Sequence, residues 1–141
     1  MIIESLMCLA LNVYHEARNQ SLAGQVAVAQ VTLNRVMDRR YPDTICGVVR
    51  QAITFDSGQP VRNQCQFSWY CDGKSDKPRN EGAWYTAYNL AERVMRGDMV
   101  DITEGSTHYH ADYLRPEWAS TKTYVTQIDD HIFYRWDISY E

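Results

Sequence analysis

The run LAGQVAVAQVTLNRVMDR, residues 22–39, constrains the fold more than any other stretch. Ala23, Val26, Ala27, Val31 (or Gln30), Leu33 and Val36 recur at the three-and-four spacing of a helix face. Part of it, V-A-V-A-Q-V-T-L, also alternates like a strand. Length and alanine content favour a helix. Its start is apolar on two sides, which predicts a central helix covered by other elements on both.

Ser21 is placed to cap this helix. Ahead of it, residues 3–16 read as a first helix, with Leu6, Leu9, Ala10 and Val13 on one face. Glu16 falls three after Val13, toward the same inner face, and Arg18, Asn19 and Gln20 break the pattern. Pro42 stops the second helix; a short third one starts at Asp43 or Thr44 and runs through Gln51. Residues 52–80 are polar, aromatic and punctuated by glycine and proline. There Q-F-S-W-Y alternates weakly and Asp72 and Gly73 form a turn pair, so a small hairpin or ordered loop is expected. Asn80 caps a helix over 81–96 with Gly97 past its end, and Trp84 and Tyr88 read as its core positions. The segments T-H-Y-H, Y-V-T-Q-I and H-I-F-Y-R-W are rich in β-formers. The 141 residues suit one domain, 1–141, mainly α with a small β element.

Composition removes several function classes. The net charge is −4 and no basic block is dense enough for a nucleic-acid footprint. No stretch approaches the roughly 18 apolar residues of a membrane span. The start, MIIESLMCLAL, puts Glu4 where an export signal needs positive charge. The expectation is a monomer without signal peptide, made in the cytoplasm and acting on its target after release. Ten Tyr and four Trp against three Phe favour rings with a polar handle, which suit sugar or peptide clefts. The four cysteines lack zinc spacing. Cys8 reads as a small hydrophobe inside the first helix, and Cys65 and Cys71 can pair in an oxidising compartment.

The chemistry narrows by elimination. His15 and Glu16 open like H-E-x-x-H, but position 19 is Asn, so the zincin motif fails. His108, His110 and His131 remain a three-histidine metal alternative with no obvious fourth ligand; no metal or cofactor is expected. No G-x-S-x-G marks a serine nucleophile. What remains is acid catalysis by Glu16, at the inner end of a buried helix, where apolar walls raise a carboxyl's pKa. Tyr14, Trp69 and Tyr134 are candidate walls, and Arg18 could pair with Glu16 or meet the substrate. The other acids, scattered from Asp38 to Asp76, lack a comparable apolar frame. A mechanism with one carboxyl therefore fits better than the two-carboxylate glycosidases.

At these residues the chain resembles the SleB/CwlJ cell-wall hydrolase family. The resemblance is carried by N-V-Y-H-E-A-R, G-Q-V-A-V-A-Q-V-T-L-N-R-V, Y-P-D-T-I-C-G-V-V, Q-F-S-W, G-S-T-H-Y-H-A and H-I-F-Y-R, in order over residues 5–136. It implies a lysozyme-like single domain and peptidoglycan glycan strands as substrate. Cleavage would fall between N-acetylmuramic acid (MurNAc) and N-acetylglucosamine (GlcNAc), by lytic transglycosylation, with plain muramidase hydrolysis as the runner-up. It implies Glu16 as the catalytic acid, with Gln66, Ser68, Trp69, Tyr109 and His110 along the glycan cleft and Tyr134 orienting Glu16 or the substrate. The family's usual E-A-R-G-E is E-A-R-N-Q here, and Asn19 is expected to supply the left-handed turn of the missing glycine. A bare catalytic domain of this kind suits a phage endolysin. A zinc amidase or peptidase, and an inactive peptidoglycan-binding module, are the alternatives from other classes.

Overall fold

The computed structural model describes residues 2–137. Four helices, α1 (Ile2–Ala17), α2 (Leu22–Val36), α3 (Ile45–Val49) and α4 (Glu81–Met95), pack beside two small antiparallel sheets. One sheet is the hairpin β1 (Ala52–Thr54) and β2 (Pro60–Cys65). The other has strands β3 (His108–Ala111), β4 (Lys122–Ile128) and β5 (His131–Trp136) in the order β3-β5-β4.

The helix starts follow local chemistry. Ser21, Thr44 and Asn80 each accept a hydrogen bond from the backbone N–H three residues on, at 3.2, 3.0 and 2.9 Å. Gly97 follows α4 at φ +75°, a conformation that costs glycine little. Helix α2 ends at Val36, three residues short of the expected boundary. Asp38 takes the backbone N–H and the guanidinium of Arg40, both at 2.8 Å, and turns the chain away.

Every residue of α2 from Gly24 to Thr32 is buried. On one side Val26 and Ala29 pack with Leu9, Val13, Leu90 and Val94 of α1 and α4. On the other, Ala27 and Val31 pack against the fully buried Phe133 of β5. The two apolar sides of α2 thus separate a helical core from the three-stranded sheet. Near the N-terminus of α2, Asp129 in the β4–β5 turn accepts from both the backbone N–H and the hydroxyl of Ser21, at 2.8 and 2.6 Å. A Cβ on Gly24 would lie 2.6 Å from that carboxylate, so the close approach requires glycine.

Two local expectations change. Q-F-S-W-Y is not part of the hairpin, which precedes it; Ser68–Cys71 is a 3-10 turn. It curls because Cys71 is bonded back to Cys65 and Trp69 is drawn onto α1. Cys8 is buried but is not a free hydrophobe: it is bonded to Cys46 and ties α1 to α3. Spacing along the chain carries no sign of which helices meet. No helix among the described residues is long and apolar enough to cross a membrane.

Candidate active site

Glu16 is the penultimate residue of α1 and is half-buried. The Tyr109 hydroxyl, on β3, donates to its Oε1. Burial raises the carboxyl's pKa, while the Tyr109 bond and the nearby Arg35 charge pull in the opposite direction. Tyr109 itself is driven well above the ordinary phenol value by burial and by Glu16, so it stays a donor. Its ring is set by His131 and Phe133, with centroids at 4.9 and 5.6 Å.

Arg35 reaches the site from the last turn of α2. It is 3% exposed; its Nε donates to the Thr107 carbonyl at 2.7 Å, and Nη1 is buried without a partner. Its guanidinium lies over Tyr41 at 4.8 Å and Phe67 at 5.6 Å. Burial pulls its pKa down against the pull of Tyr41, Tyr109 and Glu16, but a guanidinium keeps its proton. Glu16 therefore sits between an environment that favours the acid and a fixed cation that favours the carboxylate.

Two recesses meet at this group, and His15, Glu16 and Ser68 border both. One, of about 930 Å³, lies along Tyr14, Trp69 and the 72–81 segment. The other, of about 620 Å³, lies along Gln66, Tyr109, His110 and Trp118. Both fall in the usual size range of ligand sites.

A model of the Cell Wall Hydrolase family matches residues 19–134. The chain belongs to the cell wall hydrolase family. It resembles the catalytic domain of the germination-specific lytic transglycosylase SleB from Bacillus anthracis, with TM-score 0.70, 29% identity and 93% of both chains covered. The SleB catalytic domain from Bacillus cereus aligns with TM-score 0.64 and 26% identity, over 93% of this chain and 89% of that one. The fold is thus the helix-rich, lysozyme-like fold of SleB catalytic domains. A spore cortex-lytic enzyme of Oceanobacillus iheyensis is 44% identical over 132 residues, 91% of this chain and 40% of the relative. That of Bacillus subtilis is 43% identical over 126 residues, 89% of this chain and 35% of the relative. The chain spans less than half the length of these curated relatives. The family match begins after Glu16, so the case for this acid rests on the geometry around it.

Within this family domain, Gln66, Ser68, Tyr109 and His110 border the smaller recess, and Ser68 and Trp69 the larger. Tyr134 borders neither. It is 6% exposed, and its hydroxyl donates to His110 Nε2 at 2.9 Å. Tyr134 pairs with His108 in the sheet and so shares a face with His108 and His110, opposite to Tyr109. Strand alternation gives the contact with Glu16 to Tyr109, not to Tyr134.

Trp69 is mainly an anchored wall. It is 8% exposed, stacks on His15 at 4.7 Å, and its Nε1 donates to Asn12 Oδ1 at 2.9 Å. Trp84 and Tyr88 pack against the helical core as expected. Arg18 does not pair with Glu16; it donates to the Tyr14 and His15 carbonyls at 3.3 and 3.4 Å. Asn19 is not left-handed. The chain leaves α1 through a short turn closed by Gln20 N–H to Ala17 at 2.9 Å, and Gln20 then holds Asp130 through both ends of its amide.

The three-histidine alternative loses a member. His110 Nδ1 donates to the Ala111 carbonyl at 2.7 Å and Nε2 accepts from Tyr134, so neither nitrogen is free. Burial, helped by Arg35 and Lys122, pushes His108 down to about 4. Among the described residues no group of three His, Cys, Asp or Glu is placed to hold a metal ion.

Sequence reasoning passed over Arg35 and Asn12. A signal was present: both are polar residues on stripes that bury. Asn12 lies midway between Cys8 and Glu16 at spacing four, and Arg35 lies four after Val31.

Proposed function

We propose that this chain degrades peptidoglycan by cutting the MurNAc–GlcNAc bond as a lytic transglycosylase, with Glu16 as the one acid and base. The observation that carries this is the half-buried Glu16 carboxyl where the two recesses join, held at Oε1 by Tyr109. With Oε1 accepting from Tyr109, the acid's proton belongs on Oε2. Glu16 gives it to the glycosidic oxygen, the C1–O bond breaks, and the leaving GlcNAc takes the electron pair as its hydroxyl. The carboxylate, now favoured by Arg35, takes the proton from the MurNAc C6 hydroxyl as O6 bonds to C1. The product is a 1,6-anhydro ring, Glu16 is protonated again, and no water is consumed. The likeness to a lytic transglycosylase catalytic domain supports this reading.

Mass spectrometry of digested walls tests it. The reading expects 1,6-anhydro ends; reducing ends alone would make the enzyme a hydrolytic muramidase. Loss of activity with a strong chelator would favour the zinc alternative, and an absence of wall clearing would favour an inactive binding module.

We further propose that the domain works as a monomer outside the reducing cytoplasm, in the manner of an endolysin released by a pore. The two disulfides support an oxidising workplace. Expression in the cytoplasm should lyse cells only when a membrane pore is supplied; lysis without one contradicts the release step.

A further inference from the structure

The recess on the Trp69 side of Glu16 has a charge that sugar rings do not need. Four cations border it, Arg18, Lys74, Lys77 and Arg79, against Asp72 and Glu81 besides Glu16 itself. This excess stands on a chain whose net charge is −4. Elsewhere three surface cations find acids, Arg40 with Asp38, Arg50 with Glu4 and Arg96 with Glu92. Arg39, Arg62, Arg93, Arg115, Lys122 and Arg135 have no ion pair among the described residues and are not gathered at one recess with Glu16. None of the four recess cations has an ion pair among the described residues.

The segment that carries three of them is held in place from below. His15 Nε2 donates to the Asp76 carbonyl at 2.8 Å. The Tyr14 hydroxyl accepts from the backbone N–H groups of Arg79 and Asn80, both at 3.1 Å. Asp72 turns inward on its own loop and accepts from the Lys74 N–H at 2.8 Å. The side chains of Lys74, Lys77 and Arg79 make no hydrogen bond among the described residues; only their backbone N–H groups do. The backbone is tied down while the cations are left to solvent. The recess across Glu16 differs in make-up: it has two cations, Arg35 and Arg115, rather than four, and adds the rings of Tyr109, Tyr113 and Trp118, suited to the faces of sugar rings. Arg35 is already engaged by the Thr107 carbonyl.

We propose that the basic recess binds the carboxylates of the stem peptide borne by the MurNAc at the cleavage site. This rests on the proposed glycan-cutting reaction and names what else that substrate must carry. A MurNAc–GlcNAc strand whose lactyl group is in amide linkage has no charge of its own. Its stem peptide carries free carboxylates, and these are what unpaired cations beside the acid would recognise. The enzyme then selects glycan whose stem peptides carry free carboxylates over glycan whose peptide carboxylates are capped. It also runs the strand one way through the cleft, with the reacting MurNAc on the Trp69 side.

The test uses walls freed of teichoic acid, so that carboxylate is the anion supplied, and the same walls with their peptide carboxylates capped as methylamides, since removal of the peptides by an amidase would leave a free lactyl carboxylate on each MurNAc. The readout is the ratio of kcat/KM on the two substrates for wild type and for the K74Q/K77Q/R79Q triple variant. Exposed ion pairs are individually weak, so the effect should need several together. Wild type should prefer the substrate with free peptide carboxylates roughly tenfold, the triple variant should lose that preference, and added salt should erode it in wild type only. An unchanged melting temperature shows that the variant is folded, and the single K77E variant should shift the ratio the same way. Equal cleavage of both substrates by wild type, or an undiminished preference in the triple variant, overturns the proposal. If wild type cuts neither substrate, the glycan-cutting reading fails instead.

Discussion

The Tyr109 hydroxyl donates to Glu16 Oε1 across 93 residues of chain, joining the end of α1 to the first strand of the sheet. The contact makes the acid's protonation depend on the packing of a β-strand. Removing the hydroxyl with Tyr109→Phe removes an influence that lowers the Glu16 pKa. A reaction that needs protonated Glu16 should then extend to higher pH. The basic limb of the pH–kcat/KM profile should move up, and the maximal rate should fall about tenfold or more as the carboxyl loses its orientation. A basic limb that stays in place would show that Tyr109 does not act on the acid.

Glu16→Gln should abolish cleavage and stabilise the fold at neutral pH. The folded-state pKa of Glu16 is raised by burial above its unfolded value near 4.5, so the folded form holds the proton more tightly. Its contribution to stability is therefore present below about pH 4.5 and is lost as pH rises through the higher folded value. Gln can still accept from Tyr109 and carries no charge to desolvate. Denaturant unfolding at a series of pH values should show the variant gaining on wild type as pH rises through that window. A constant difference across pH would mean that Glu16 titrates normally in the fold.

Arg35 combines a structural and an electrostatic role, and two variants separate them. Arg35→Met removes the cation that favours the Glu16 carboxylate, so the basic limb should again move to higher pH. It also leaves the Thr107 carbonyl without its donor, which should cost about 1–3 kcal/mol by chemical denaturation. Arg35→Lys keeps the charge but not the planar fork over Tyr41 and Phe67. It should lose stability while leaving the pH profile near that of wild type. Equal pH profiles for Met and wild type would remove the electrostatic role.

The two disulfides should differ in worth. Cys8 and Cys46 are 38 residues apart, whereas Cys65 and Cys71 are 6 apart. Chain entropy makes the longer closure worth about 4 kcal/mol and the shorter about 2 kcal/mol. Paired serine substitutions at Cys8 and Cys46 should therefore lower the unfolding free energy more. The pair at Cys65 and Cys71 should act chiefly on the cleft wall, raising KM through the loop that holds Gln66, Ser68 and Trp69. If the shorter bond proves the larger contributor to global stability, loop length is not what sets their worth.

Much of this protein is written locally. The starts of α2, α3 and α4 are legible at Ser21, Thr44 and Asn80 because a cap bonds to an N–H only three residues away. The burial of α2 is legible because its apolar residues cover two sides of one helix. Glu16 stands out for the same reason, as an acid at the inner end of an apolar run. Such patterns report contacts within a turn or two, and they determine which segments fold and which faces bury.

What they leave open is which faces meet. Tyr109 rather than Tyr134 holds Glu16 because strand alternation turns the two rings to opposite faces, and only the register of β3 on β5 decides which face reaches α1. Cys8 finds Cys46 because α3 packs on α1. Arg35 enters the site because α2 runs beneath it, with Thr107 holding the guanidinium there. The sequence by itself determined the helices, the buried centre and the acid. The tertiary structure decided the acid's partners, since a long-range contact depends on two surfaces at once and neither segment alone encodes the other.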